Sequence, residues 1–499
     1  MEVNPQSSIL ISDILGKCDA ESNYETPQHR LSAAGAEIVV VSDLHVAGGR
    51  KPDGNFYGTE NFFADAAFQR FIRATLTRLE SRPAVLVING DLIDFLRVNE
   101  YPATDQELAD WREALEPLGI RKTVAELRNS ISKKERQFGL KTNDYKAVWQ
   151  LSIVARGHVQ LFDALAEWLA AGNKLVIVKG NHDLQFIWPA VRNYLRLDLA
   201  ERIREARPHQ SLTDVLLKVV GPNLVFVDDT LLIDDVFYLE HGHRYDKNAW
   251  PVGKPILDNG EELNIPFGSF FNRYLLNRIE LAYPFIDNVR PTVNILPLLI
   301  RERFPLAMKL IFYHIPFALE IIPKKYFRYI FGRFALMLAA LGIPFLLALA
   351  YLLATFPELW HLLRKVPTAT WPGSGLAKSF AALTASYLLS RIVAYFQLAE
   401  PFSTAEPARK IFEREPRYQF IAMGHTHNPQ QFNENGHWFY NTGTWIPIVE
   451  TSSGELRKDC TYTLLHFGRD SAGRLQPTTL KRWDDEAERL EDLPIVTRK

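Results

Sequence analysis

The chain has almost no cysteine: Cys18 and Cys460 are the only two in 499 residues. Two thiols are too few for a disulfide framework, and they lack the spacing of metal ligands, a pattern that suits a reducing compartment. Surplus charge is missing as well. With 57 Lys plus Arg against 58 Asp plus Glu, the net charge is −1. There is no global basic field, so nucleic acid is not an expected partner. The first residues, MEVNPQSSILISDILGK, lack the cationic start and apolar core of a signal peptide, so the N-terminus is expected to stay on the cytosolic side. Internal repeats and low-complexity tracts are absent too. What the sequence does have is apolar substance, 47% hydrophobic residues, enough for a large core and two or three domains.

Short buried strands punctuate the chain. After a polar leader at 1–35, expected to be loosely ordered, the run EIVVV at 37–41 ends in Ser42-Asp43-Leu44-His45. A second run, AVLVIN at 84–89, ends in Gly90-Asp91-Leu92-Ile93-Asp94. A third, KLVIVK at 174–179, ends in Gly180-Asn181-His182-Asp183. Further strands are expected at 223–227 and 236–240, the latter running into His241-Gly242-His243, and at 418–423, ending in Gly424-His425-Thr426-His427. Helical sequence separates the early strands, which predicts an α/β sheet with its ligand site beyond the carboxyl ends of the strands. A helical cap is expected at 97–170, between core segments at 36–96 and 171–265. A last core segment is expected at 411–470, followed by a charged tail at 471–499 whose end, from 481, reads as a solvated helix.

Composition shifts between 266 and 410, where Leu, Ile, Phe, Tyr and Ala dominate. Within it, residues 334–356 run for 23 positions without a charge, close to the roughly 20 residues that cross a bilayer core. Lys324, Lys325, Arg328 and Arg333 precede that run and would stay on the cytoplasmic side. Because strand ends on both sides of this insertion must meet in one site, any crossings must be even in number. A hairpin through 334–356 and 376–400 satisfies this, and so do helices lying in the interface. A buried helix of a large soluble domain is the plainer reading of the same run. The expected location is the cytoplasmic face of a membrane.

Asp43, His45, Asp91, Asn181, His182, His241, His425 and His427 stand at five separate strand ends. Carboxylate and imidazole hold first-row divalent ions such as Mn, Fe, Zn or Co, and the lack of cysteine ligands argues against a structural zinc site. Eight such groups exceed the needs of one ion. A pair of ions roughly 3.5–4 Å apart, sharing a carboxylate and a hydroxide, accounts for them. A lone histidine in a chain this long is usually structural, whereas five such strand ends in series are not.

In this order, D-x-H, G-D-x-x-D, G-N-H-D, a strand-borne His and G-H-x-H resemble the calcineurin-like metallophosphoesterase family, over roughly residues 36–245 and 415–470. The resemblance implies a four-layer α/β sandwich, two facing mixed sheets flanked by helices. It implies that Asp43, His45 and His427 hold one ion, that Asn181, His241 and His425 hold a second, and that Asp91 bridges them. It also implies that His182 faces the substrate, with Asp183 orienting its ring. His241 is preferred to His243 because it directly follows a strand, and Asp94 is read as shaping the turn after Asp91. Arg97 reads either as a phosphate contact or as an exposed cap residue. His158 reads as a packing or surface residue, and Asn441 and Thr444 as supports of the site through turn hydrogen bonds.

The expected activity is hydrolysis of a phosphoester or pyrophosphate bond by a hydroxide bridging two divalent ions, manganese first among them. The family includes enzymes acting on lipid-linked substrates, and the apolar insertion points the same way. The rival readings are a phosphodiesterase for soluble substrates, a phosphoprotein phosphatase, and a membrane scaffold that keeps the fold without catalysis. Phosphatases of the last-but-one kind read G-D-x-x-D-R-G and G-N-H-E, whereas Phe95 follows Asp94 and Asp183 follows His182 here.

Overall fold

In the computed structural model, residues 5–21, 24–283, 289–290, 295–314, 403–450 and 461–493 are described. The expected apolar spans at 334–356 and 376–400 lie outside them. Among the described residues, no helix is long and apolar enough to cross a membrane. The chain divides into two compact units, Met1–Arg290 with Phe402–Lys499, and Pro291–Pro401.

Fifteen strands are described: β1 (Gln28–Leu31), β2 (Glu37–Val41), β3 (Ala84–Asn89), β4 (Lys174–Val178), β5 (Leu224–Val227), β6 (Thr230–Ile233), β7 (Phe237–Glu240), β8 (Val289–Arg290), β9 (Phe420–Met423), β10 (Gln430–Glu434), β11 (His437–Asn441), β12 (Val449–Glu450), β13 (Thr463–Phe467), β14 (Lys481–Asp484) and β15 (Arg489–Asp492). Seven of them form one mixed sheet in the order β15-β14-β13-β2-β3-β4-β5, with β2 to β5 parallel. Six form a second mixed sheet in the order β1-β6-β7-β9-β11-β10. β8 and β12 pair with each other alone.

Strand periodicity decides which side chains face which layer. Ile38 and Val40 of β2, Val85 and Val87 of β3, and Val176 and Val178 of β4 pack against Leu231, Ile233, Phe237, Leu239 and Phe420 of the second sheet. Their neighbours Val39, Val41, Leu86, Ile88, Leu175 and Ile177 point the other way, against Phe68, Phe71, Leu161, Leu165 and Trp168 of two helices, Asp65–Leu79 and Val159–Ala170. The outer face of the second sheet is covered by Ala408 and Phe412 of helix Ala405–Arg414. Two facing sheets with helices outside both therefore form the first unit, as the alternation of apolar runs and helices predicts.

Four boundaries differ from expectation. Most of the leader is regular: helix Pro5–Glu21 places Ile11, Ile14, Leu15 and Cys18, at helical spacing, against the core. Asp19 then accepts from Arg192 Nε and Nη2 at 2.7 and 2.5 Å and from Arg196 Nη1 at 2.8 Å. At the other end the expected helix is the hairpin of β14 and β15, because Trp483 alternates with half-buried charges and buries against the core beside Phe71. Helices Asp144–Gly157 and Val159–Ala170, read as part of a cap, contribute Leu151, Val154, Leu161 and Trp168 to the layer outside the first sheet. Residues 267–280, read as the start of the apolar insertion, belong to the first unit.

A buried histidine pins the loop that leaves β2. His158 Nε2 lies 3.0 Å from Glu60 and its Nδ1 3.0 Å from Asp65, and Glu60 also accepts from the backbone N–H of Gly49 and Phe62. Burial disfavours a charged ring, but the two carboxylates outweigh it and raise the His158 pKa from 6.5 to about 9. The sign follows from linkage: a raised folded-state pKa adds stability in full below 6.5, and that stability is lost as pH climbs through about 9.

Two outcomes follow. Leu15→Ala should lower unfolding free energy by about 2–4 kcal/mol in urea melts, with exposed Lys17→Ala within about 0.5 kcal/mol, whereas a silent Leu15→Ala would restore the disordered leader. Between pH 7 and 10, the wild type should lose on the order of 3 kcal/mol through His158, and His158→Gln should show a visibly flatter profile; parallel profiles would contradict the buried ion pair.

Candidate metal centre

β2, β3 and β4 run parallel in one sheet, and β7, β9 and β11 run parallel in the other, so their carboxyl ends deliver polar residues together. The two sheets are tied at that edge. Asn89 Nδ2 donates to the carbonyl of Glu240 at 2.9 Å, His241 Nδ1 lies 3.0 Å from the carbonyl of Asn89, and Ser42 Oγ lies 2.6 Å from Thr442 Oγ1. Thr444 Oγ1 donates to the carbonyl of Asp43 at 2.7 Å, and Asn441 Nδ2 to that of Gly424 at 2.8 Å, the supporting hydrogen bonds expected of these residues.

Three groups of side chains can each hold a cation, their ligand atoms lying within 4.8 Å of one another: Asp43, His45 and His427; His45, Asp91 and His182; Asp91, His241 and His425. The groups overlap through His45 and Asp91. Asp91 Oδ2 lies 3.0 Å from His241 Nε2 and 3.6 Å from His45 Nε2. Asp43 Oδ1 lies 3.3 Å from His427 Nε2 and 3.9 Å from His241 Nε2, so both carboxylates face both sets of imidazoles. His45 and His427 approach through their Nε2 atoms at 2.9 Å. Asn181 sits in the same turn as His182, whose backbone N–H donates to Asp91 Oδ1 at 2.8 Å, and its buried Oδ1 has no hydrogen-bond partner. His243, by contrast, packs 5.4 Å from the His241 ring and joins none of the three groups.

The backbone is bent to achieve this. Asp43, His45, Asp91, His425 and His427 all have positive φ, between 48° and 70°, a region that residues with side chains seldom occupy. Such strain persists where the surroundings over-determine it, and functional sites are where it gathers. The motif glycines have a related cause. A Cβ on Gly180 would stand 2.1 Å from Asp91 Oδ1, and one on Gly424 would stand 2.4 Å from Asp43 Oδ2. Each glycine therefore marks a place where a neighbouring strand's carboxylate lies against the backbone.

Charge balance inside this edge is tight. Burial alone would raise the pKa of Asp43, but the charge of His241 and hydrogen bonds from His427 and His45 hold it well below the carboxylate range. Asp91 is lowered for like reasons, against its burial, by His241, His182 and His45. In return, and again against burial, Asp43, Asp94 and Asp91 raise His45 to about 10, while Asp91 and Asp43 raise His241 to about 9. Two buried carboxylates thus demand positive charge between them, and the donor set of carboxylate, amide and imidazole suits divalent cations of the first row. Asp43, His45, His427, Asp91, Asn181, His241 and His425 are the residues that would hold them.

Three side chains do other than expected: Asp183, Asp94 and Arg97. Asp183 does not orient His182: its Oδ1 accepts from the backbone N–H of Gly180 at 2.6 Å and its Oδ2 from that of Leu92 at 2.9 Å. Residues adjacent on a turn point apart, so a neighbour in sequence is poorly placed to hold the ring. Asp183 instead clasps two ligand-bearing turns together, and burial with the nearby charge of Asp91 lifts its pKa to about 7. The partner of His182 is Asp94, whose Oδ2 lies 2.9 Å from His182 Nδ1 and 3.3 Å from His45 Nδ1. Arg97 is neither exposed nor aimed at a phosphate; it is 2% exposed and donates through Nε to Asp94 Oδ2 at 3.1 Å. Sequence reasoning also missed Asp246, which lies 3.2 Å from His425 Nε2. The D-x-x-D spacing was the available signal for Asp94; for Asp246 there was none.

A metal-stripped chain should gain thermal stability on addition of Mn²⁺, by about 2.7 kcal/mol at a hundredfold excess over Kd, and Asp91→Asn should abolish most of that gain. An Asp91→Asn chain stabilised as strongly as the wild type would remove Asp91 from the centre. No family model and no curated protein sequence matches the chain.

Proposed function

We propose that the chain is a dinuclear-metal phosphoesterase of the calcineurin-like kind, hydrolysing a phosphoester or pyrophosphate bond. The observation that carries this reading is the overlap of the cation-capable groups through His45 and Asp91, carboxylate and imidazole from five strand ends. Two divalent cations held there would lower the pKa of a shared water and draw charge from the phosphoryl oxygens.

The side chains divide the remaining work. Asp94 occupies Nδ1 of His45 and of His182, which leaves each ring its Nε2. On His45 that nitrogen turns toward Asp43 and Asp91, as a ligand's would. On His182 it is available to pass a proton to the oxygen that leaves phosphorus. The same Asp94 contact thus orients both rings, and proton donation by a positioned imidazole is the duty left to His182. Asp43 and Asp91, fully buried, supply negative charge without solvent to dilute it.

The substrate class we favour is a lipid-linked or membrane-presented phosphoester. Its support is the sequence: a 23-residue uncharged run at 334–356, with lysines and arginines just before it, inserted between two halves of a site.

Purified chain with Mn²⁺ should hydrolyse a generic aryl phosphodiester, and on one with a phenyl leaving group His182→Ala should lower kcat by about 10²–10⁴-fold while metal content stays unchanged. Full metal content without turnover of any phosphoester would favour the scaffold reading. In a panel of phosphomonoesters, nucleotide-sugar lipids and phospholipids, a need for detergent micelles and an acyl chain is expected; equal rates on soluble nucleotides would discard the lipid substrate.

A further inference from the structure

Asp94 is held in an unusual way for a carboxylate that serves two imidazoles. One oxygen, Oδ2, takes all three donors, His182 Nδ1 at 2.9 Å, His45 Nδ1 at 3.3 Å and Arg97 Nε at 3.1 Å. The other, Oδ1, is buried with no hydrogen-bond partner. Both imidazoles are themselves parts of the site, so Arg97 is the donor that holds Oδ2 from outside it.

Arg97 is in turn enclosed. Its Nη1 donates to Glu280 Oε2 at 2.5 Å and to the carbonyl of Thr59 at 3.3 Å, while Thr59 Oγ1 donates to the carbonyl of Arg97 at 2.6 Å. Glu280 is 1% exposed and closes a row of buried polar residues on the helical segment 267–280. Arg273 Nη2 donates to the carbonyl of Gly139 at 2.6 Å, and Asn277 Nδ2 to that of Leu96 at 2.7 Å. Spacings of four and three residues put Arg273, Asn277 and Glu280 along one side of a helical segment. Burying a guanidinium and a carboxylate is costly before pairing, and apolar residues of like size would join the two segments as well or better. What an apolar pair cannot do is hold a carboxylate in one direction.

We infer that Arg97 and Glu280 are positioning residues for proton delivery by His182, an inference that rests on the phosphoesterase reading. Glu280 fixes the guanidinium, the guanidinium fixes Asp94, and Asp94 keeps the Nδ1 protons of His182 and His45 in place so that both Nε2 atoms face the site. Helical segment 267–280, which belongs to the first unit, is thereby part of the frame that holds the proton donor.

The test compares two aryl phosphodiesters in Mn²⁺, one with a p-nitrophenyl and one with a phenyl leaving group. A p-nitrophenolate leaves without a proton, whereas a phenolate gains from one. Glu280→Gln and Arg97→Gln should lower kcat on the phenyl ester on the order of tenfold or more, leave the p-nitrophenyl ester within about threefold, and leave KM unchanged. Glu280→Asp should recover part of the phenyl rate, and Glu280→Gln should cost nothing further in a His182→Ala background. If Glu280→Gln does not fold, Arg97→Lys, which keeps the charge and loses the Nε bond, carries the same expectation. Equal losses on both esters would overturn the inference. A second readout does not need turnover: in histidine-selective ¹⁵N NMR, the Nδ1 protons of His182 and His45 should exchange with water at least about tenfold faster in the variants. Unchanged exchange overturns the positioning role. Faster exchange in a chain that hydrolyses neither ester would keep the network and sink the phosphoesterase reading instead.

Discussion

The structure of the first unit turns on a costly act, the complete burial of Asp43 and Asp91 side by side at the joint between two sheets. Removing one carboxylate from water costs several kcal/mol even after relaxation, and a second beside it adds repulsion. Positive charge must therefore be brought to them. The imidazoles of His45, His241 and His427 do so in the chain alone, and first-row cations would do so more fully. Left-handed backbone at Asp43, His45, Asp91, His425 and His427 is part of the same cost, and it is met by the packing of the strands that end there.

That packing explains the glycines, the amides and the hydroxyls around the site. Alternate residues of β2, β3 and β4 fill the space between the sheets, so the sandwich closes tightly enough for Gly180 and Gly424 to lie on carboxylates. Asn89, Ser42, Thr442 and Thr444 then satisfy the backbone groups left over where strands end and sheets meet. Stability and site geometry are thus set by the same contacts. His158, placed between Glu60 and Asp65, extends this scheme to the loop leaving β2.

Much of this was legible in the sequence, because buried parallel strands read as apolar runs and their polar ends follow immediately. The strand ends bearing Asp43, Asp91, Asn181, His241 and His425 emerge in that way. What escaped notice had weaker signals. Ile11, Ile14, Leu15 and Cys18 form an apolar stripe at helical spacing, but polar residues around it made the first residues look like a leader. β14 and β15 are short and charged on their exposed faces, with Trp483 as their main buried residue, so tertiary pairing with β13 outweighed local composition. Partners such as Asp94 for His182, or Glu280 for Arg97, are distant in sequence and follow only from three-dimensional proximity. Adjacent residues, as Asp183 shows, are a poor guide to which side chains meet.

The central claim is that two neighbouring cations occupy the joint between the sheets. Anomalous diffraction from crystals grown with Mn²⁺ tests it most directly. The account predicts two manganese peaks roughly 3.5–4 Å apart, one beside Asp43, His45 and His427 and the other beside Asn181, His241 and His425, with Asp91 between them. A single peak, or manganese bound elsewhere while these side chains keep their present contacts, would contradict it.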